Sequence, residues 1–320
     1  MEEINKQSGK WLIDTDPGVD DSFCIILAHK FIREHLIALS IASGNIGLDA
    51  TYNNAKKITS ICENTSIPIF KGTDLNLSCT NFRAPVAAHG HDGLYDLEEF
   101  SGLEKKHTHQ NREDPNFLYS NFSPFKLIEI IYKYEKEGIN LLCLGPLTNL
   151  AIAYSICPEI VNKINRLVIM GGAYKSYGNI CPGAEFNFFY DPIAAKIVVS
   201  NFKNVQIFPW ETCELNLFKE EELEYCKYDN NRSLFCRRCI ESKLSFKRNL
   251  VFADYGAGTA AFNPKIITKS RKTNGDIIID GDSRFFGGLV IGDKLNGNEV
   301  EVVEDVDRGV YYEMFNEMIK

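Results

Sequence analysis

Six short apolar runs constrain this 320-residue chain more than any other feature: Trp11–Ile13, Leu36–Ile41, Ile67–Phe70, Ile139–Leu144, Leu167–Met170 and Val205–Pro209. Runs of this length, apolar on both alternating faces, read as strands buried on both sides of a sheet. Helical compositions lie between them, at Asp21–Phe31, Ala50–Glu63, Pro124–Glu137, Leu147–Tyr154 and Pro192–Ser200. The alternation predicts an α/β fold built on an open, mostly parallel, Rossmann-like sheet with helices on both faces. Toward the end, Asp276–Asp280 and Gly287–Ile291 read as terminal strands and Val310–Ile319 as a last helix. No repeat or low-complexity linker divides the chain, so one domain over 1–320 is expected. Two stretches break the rhythm: a loop over 81–123 rich in His, Gly and Asn, and a charged helical excursion over 219–249. Loops that long inside an α/β domain are usually functional, and both are expected near the mouth of a site.

Open sheets of this kind bind ligands beyond the carboxyl ends of their strands, so the residues following each run carry the functional signal. After the first run comes Asp14-Thr15-Asp16-Pro17-Gly18-Val19-Asp20-Asp21, four carboxylates in eight residues. Acids so crowded repel one another unless a cation lies among them, and all-oxygen ligation suits Ca²⁺ or Mg²⁺. Pro17-Gly18 marks a sharp turn, which places Asp20 and Asp21 at a helix start, where backbone N–H groups favour negative charge. A solvated acidic turn with an N-cap is the plainer alternative. Ser43-Gly44-Asn45, Gly145-Pro146-Leu147-Thr148-Asn149 and Gly171-Gly172-Ala173 follow later strands. Taken singly, Asn45 reads equally as a turn residue and Thr148 as a helix cap. Gly171-Gly172 lacks the spacing of either phosphate-binding glycine motif. Asn179, Glu185 and Asn187 gather amide and carboxylate groups that suit a polyol, or else line a solvated loop. Asp254 reads as an N-cap when taken alone.

Composition narrows the partners. A formal charge of −8 argues against a nucleic-acid surface, which needs a basic patch. No window approaches the ~18 uninterrupted apolar residues of a membrane span. The first ten residues lack the apolar core of a signal peptide, so the cytosol is the expected compartment. Ten scattered cysteines, several within apolar runs, suit buried thiols better than disulfides. Cys236 and Cys239 form a lone CxxC without the second pair that a zinc site requires.

Read in order, these motifs resemble the inosine–uridine-preferring nucleoside hydrolases. The opening acid cluster, Gly44-Asn45, Gly145-Pro146-Leu147-Thr148-Asn149, Met170-Gly171-Gly172, Asn179, Ala184-Glu185-Phe186-Asn187 with Asp191-Pro192, and Asp254 carry the likeness from about Trp11 to Asn263. The resemblance implies the nucleoside hydrolase fold and a Ca²⁺ ion held by Asp16, Asp21, Asp254 and the main-chain carbonyl of Leu144. It implies ribose contacts from Asp20, Asn45, Asn179, Glu185, Asn187 and Asp254, with Met170 and Phe186 lining the pocket. It makes Asp16 the base that activates water, and places His89 on a loop that folds over the nucleoside. It further implies a homodimer or homotetramer that cleaves ribonucleosides to free base and ribose. One position departs: the family usually carries His, Trp or Cys just before the last Asp, where this chain has Ala253. His89, His91, Tyr174, Glu211 and Cys213 are candidates to replace that group, whereas His107 and His109 are expected to be solvated. A catalytically impaired protein that binds metal and nucleoside is the alternative. A phosphatase of the haloacid dehalogenase type shares only the strand-borne Asp14-Thr15-Asp16 and leaves Asn179, Glu185 and Asn187 unexplained.

Overall fold

The computed structural model describes residues 9–79, 84–107, 121–175, 177–219, 223, 228–247, 249–280 and 283–320. Strand β1 (Lys10–Thr15) leads to helix α1 (Val19–Phe31), β2 (Leu36–Ile41), α2 (Leu48–Ile61) and β3 (Ile69–Lys71). A short helix α3 (Val86–His89) precedes α4 (Ser123–Tyr134), β4 (Ile139–Cys143), α5 (Thr148–Ile156) and β5 (Ile164–Met170). Then come α6 (Phe186–Tyr190), α7 (Pro192–Asn201), β6 (Val205–Phe208), α8 (Trp210–Leu215), α9 (Asn231–Ser245) and α10 (Ala253–Phe262). Strands β7 (Ile267–Ile277), β8 (Leu289–Ile291) and β9 (Glu299–Val306) and helix α11 (Arg308–Met318) complete the chain.

The strands form one sheet in the order β3-β2-β1-β4-β5-β6-β9-β7-β8. Pairings from β3 across to β9 are parallel, while β7 runs antiparallel to both β9 and β8. The predicted α/β architecture holds, and the apolar runs behave as strands covered on both faces. Trp11 and Ile13 enter the core shared with α1 and α10, whereas Leu12 between them enters the opposite core with Leu127 and Leu150. That split is the two-residue period of a strand expressed as two hydrophobic layers. Among the described residues, no helix is long and apolar enough to cross a membrane.

The tail of the sheet differs from expectation. A strand begins at Ile267 and ends at Ile277, well before Asp280, and the expected strand at 287–291 shrinks to β8. The unforeseen β9 sits between β6 and β7. Charge hid both: Lys269 and Arg271 on β7 pair with Glu304 on β9 at 2.9 and 2.6 Å, across the antiparallel ladder. Such cross-strand pairs support a half-exposed strand that no apolar run announces.

Helices α1 and α10 matter most for the site. A Cβ on Gly258 would lie 2.4 Å from the Cys24 sulfur, so glycine there lets the two helices close on each other. Their first turns carry Asp20, Asp21 and Asp254, and the close packing brings those turns side by side.

Candidate functional site

A cavity of about 330 Å³ opens at the carboxyl ends of the strands. Asp20, Asn45, Leu144, Met170, Asn179, Glu185, Phe186, Asn187, Ala253 and Asp254 line it, each among the residues singled out from the sequence. His89 also lines it, with Ala84, Pro85 and Ala88 from the 81–123 stretch. Lys243, Asn249 and Val251 bring in the 219–249 excursion and the segment just after it. Residues 81–83, 108–120, 220–222, 224–227 and 248 of those two stretches, with His109, lie outside the described residues.

Asp16 and Asp21 are fully buried immediately below this lining. Asp21 is fixed by its own motif: Oδ1 accepts from Thr15 Oγ1 at 2.5 Å, and Oδ2 from the Gly18 N–H at 3.0 Å. Asn45 proves to be more than a turn residue. Its N–H donates to Asp16 Oδ2 at 2.7 Å, and its Nδ2 donates to the Asp16 carbonyl at 3.2 Å and Asp21 Oδ2 at 3.1 Å. Asp16 Oδ1 is buried without a hydrogen-bond partner, a costly arrangement for a carboxylate oxygen. Two glycines make its niche: a Cβ on Gly44 would stand 2.1 Å from Asp16 Oδ2, and one on Gly145 2.4 Å from Asp16 Oδ1.

Among the described residues, Asp20, Asp21 and Asp254 each offer an oxygen within 4.8 Å of the others'. Burial, then the charges of Asp21 and Asp20, pushes the Asp16 carboxyl well up from the usual carboxylate range. Burial, then Asp21, Asp20 and Asp16, does the same to Asp254. Burial, then the charge of Asp20, raises the Asp21 carboxyl as well, and it stands beside that of Asp254. The arrangement therefore demands positive charge, supplied by protons or by a cation. An unpartnered buried oxygen, several crowded carboxylates and an all-oxygen donor set fit a hard divalent metal. Leu144 lines the same floor, its carbonyl accepting from Asn187 Nδ2 at 2.6 Å.

The opposite wall is built by α6. Glu185 is its N-cap: Oε1 accepts from the Asn187 N–H at 2.8 Å, and Oε2 from the Gly172 N–H at 2.9 Å and that of Phe188 at 3.3 Å. Burial outweighs those bonds and pushes the Glu185 carboxyl up to about 7. Asn187 Nδ2 also donates to the Met170 carbonyl at 3.2 Å, so both side chains are held by backbone. Asn179 is exposed at the rim, and its Oδ1 accepts from the Phe186 N–H at 2.8 Å. His89 Nδ1 accepts from the Val19 N–H at 3.1 Å, which puts the ring's proton on Nε2, and stands 3.8 Å from Asp20 Oδ1.

Several single-residue readings change. Asp254 lies inside the first turn of α10, whose N-cap is Phe252, so it is not a cap. Thr148 does not cap α5; its hydroxyl donates to Asp191 Oδ2 at 2.6 Å. His107 is half-buried and bonds the Ile67 carbonyl through Nε2 at 3.1 Å, rather than being solvated. Cys236 and Cys239 pack in the apolar core. Of the candidates to replace the residue at 253, only His89 lines the cavity. His91 is exposed, Cys213 donates to the Pro209 carbonyl, and Glu211 accepts from the Tyr174 and Lys175 N–H groups. Lys243 went unnoticed in the sequence because its neighbours read as an ordinary charged helix.

Known proteins agree with this fold. The chain is 32% identical over 200 residues to the inosine-uridine preferring nucleoside hydrolase of Leishmania major, covering 61% of this chain and 58% of that protein. It is 31% identical over 216 residues to uridine nucleosidase 1 of Arabidopsis thaliana, covering 67% and 60%. The matched part thus spans about three-fifths of each of those relatives. Pyrimidine-specific ribonucleoside hydrolase RihA of Escherichia coli O1:K1 / APEC aligns over 97% of both chains at 26% identity. Among solved structures, a plant nucleoside hydrolase superposes with a TM-score of 0.85 at 24% identity, over 98% of this chain and 99% of its own. A purine-preferring ribonucleoside hydrolase from Gardnerella vaginalis gives 0.83 at 23%, over 97% and 98%. The sequence model of the family matches residues 11–313, nearly the whole length, and the chain belongs to the inosine-uridine preferring nucleoside hydrolase family.

Proposed function

We propose that this protein hydrolyses the N-glycosidic bond of ribonucleosides, releasing the free base and ribose, with Ca²⁺ as its metal. The observation that carries the reading is the buried Asp16 carboxylate, with one oxygen unpartnered, beneath a cavity whose floor is Asp20 and Asp254. About 330 Å³ lies within the size range of small-molecule sites. Asp16, Asp21, Asp254 and the Leu144 carbonyl would hold the ion, and Asp20 lies close enough to Asp21 and Asp254 to join. When bound, a divalent cation makes a water molecule more acidic. Asp16, whose Oδ1 is left without a hydrogen-bond partner, takes the proton from the attacking water. Asp20 and Asp254 face the ribose and favour the positive charge that develops on it as the bond to the base loosens. Asn45, Asn179, Glu185 and Asn187 position the hydroxyls, and Met170 and Phe186 give the apolar walls.

A second reading rests on Ala253, which offers no proton and no ring: an impaired homologue that binds metal and nucleoside without turning them over. Reducing-sugar release from inosine, uridine, adenosine and cytidine, with Ca²⁺ and with chelator, separates the two. Calcium-dependent release supports the hydrolase. Calorimetric binding without release supports the impaired homologue, and neither binding nor release would sink both. We further infer a single domain that works as a homodimer or homotetramer in the cytoplasm. Sedimentation and fractionation test that inference.

A further inference from the structure

Position 253 holds a methyl group where a leaving base would need help, yet a charged side chain lines the same cavity. Lys243, from α9, lines the cavity although only 9% of it is exposed. Lysine is rarely buried to that degree without a specific partner or task. Its ammonium donates to the Val251 carbonyl at 2.9 Å and sits 5.0 Å from the centre of the Phe252 ring. Those contacts anchor it against the two residues that lead directly into Ala253 and Asp254. Among the described residues lining the cavity, Lys243 alone carries a fixed positive charge, amid the carboxylates of Asp20, Glu185, Glu214 and Asp254.

We propose that Lys243 is the catalytic group that activates the departing base. The inference rests on the hydrolase reading and assigns the role left open at Ala253. An ammonium only donates, so it pairs with an acceptor on the base, a ring nitrogen or a carbonyl oxygen. As the C1′–N bond breaks, its electron pair goes to the base, and the Lys243 Nζ passes a proton to that base. Water delivers hydroxide to C1′ and its proton to Asp16, which releases it to solvent. Lys243 recovers a proton from solvent, so the balance is nucleoside plus water to ribose plus neutral base.

The test compares inosine with 4-nitrophenyl riboside, an aryl riboside whose leaving group departs as an anion without assistance. Lys243→Met keeps the side chain's length and removes its charge. It is expected to lower kcat on inosine by roughly 10²–10⁴-fold, the usual worth of a general acid, and to leave the aryl riboside within about threefold. Equal losses on both substrates would assign Lys243 a merely structural role, and unchanged rates on both would remove it from catalysis. If the Met variant fails to fold, Lys243→Arg serves, since it keeps the charge but is too weak an acid to give up a proton. Arg must then depress the inosine rate selectively. A wild-type protein inert on both ribosides with Ca²⁺ present overturns the hydrolase reading itself, and this inference falls with it.

Discussion

Replacing Gly145 by Ala probes the Asp16 niche without touching a carboxylate. The added Cβ would stand 2.4 Å from Asp16 Oδ1 and 2.9 Å from its Cγ, about 1 Å inside an ordinary contact of 3.4 Å. Asp16 cannot simply retreat. Its other oxygen is held by the Asn45 N–H at 2.7 Å, and the backbone of Gly44 closes that side. The carboxylate must therefore rotate or the loop must shift. Overpacking of this kind costs about 1–3 kcal/mol of stability. Misplacing a catalytic group by ~1 Å costs on the order of 10²-fold in rate. Gly145→Ala should thus melt a few degrees lower, bind Ca²⁺ more weakly by calorimetry, and release ribose from inosine about a hundredfold more slowly. Gly292→Ala is the matched control, because a Cβ there meets only Leu295 at 4.0 Å and should leave all three readings unchanged. A Gly145→Ala protein with wild-type calcium affinity and wild-type kcat would refute the claim that these glycines shape the Asp16 site.

Asp16→Asn should abolish turnover while keeping the circular dichroism of the fold; retained hydrolysis would remove Asp16 as the base. Ala253→His or Ala253→Cys should raise kcat on inosine by restoring a proton donor beside Asp254, and unchanged rates in both would show that activation comes wholly from elsewhere. Phe23 packs against Phe235, Phe252 and Phe315 under the α1 and α10 seam. Phe23→Ala should therefore cost about 3–5 kcal/mol in denaturant unfolding, and a loss under 1 kcal/mol would deny that seam its weight. His29 is buried beside Arg33 and Arg232, and burial first, then those charges, lowers its pKa from 6.5 to about 4. The unfolded chain binds that proton first, so the contribution of His29 is complete above pH 6.5 and lost as pH falls toward 4. Its ceiling is on the order of 3 kcal/mol. The stability gap between wild type and His29→Gln, measured at pH 7 and pH 5, should shift in favour of Gln at the lower pH; an identical gap would refute the assignment.

The part of the fold made by apolar runs was open to reading because burial on both faces writes itself as continuous hydrophobic residues. Trp11, Leu12 and Ile13 illustrate it, pointing alternately into two separate cores. The edge beyond β6 was not, because one face of β7 is solvated and its register is set by pairing with β9. Lys269, Arg271 and Glu304 each look like loop residues until the strand opposite is known.

The site divides along the same line. Carboxylates within eight residues betray a local constraint, and Asp16, Asp20 and Asp21 converge because one turn and one helix start suffice to place them. Asp254 lies 233 positions beyond Asp21 in the numbering, and only the packing of Gly258 on Cys24 explains why it joins them. Lys243 was hidden more deeply, since α9 carries several charged residues and nothing local marks which of them turns inward. What selects Lys243 is its anchoring at the Val251 carbonyl, on the segment that leads from α9 into α10. Ala253 and Lys243 are therefore best understood together. The part of the site carried by Asp16, Asp20 and Asp21, proposed to handle metal and ribose, follows the local motif. The part proposed to meet the base joins α9 to the start of α10, where a changed side chain at one position can be answered from another element.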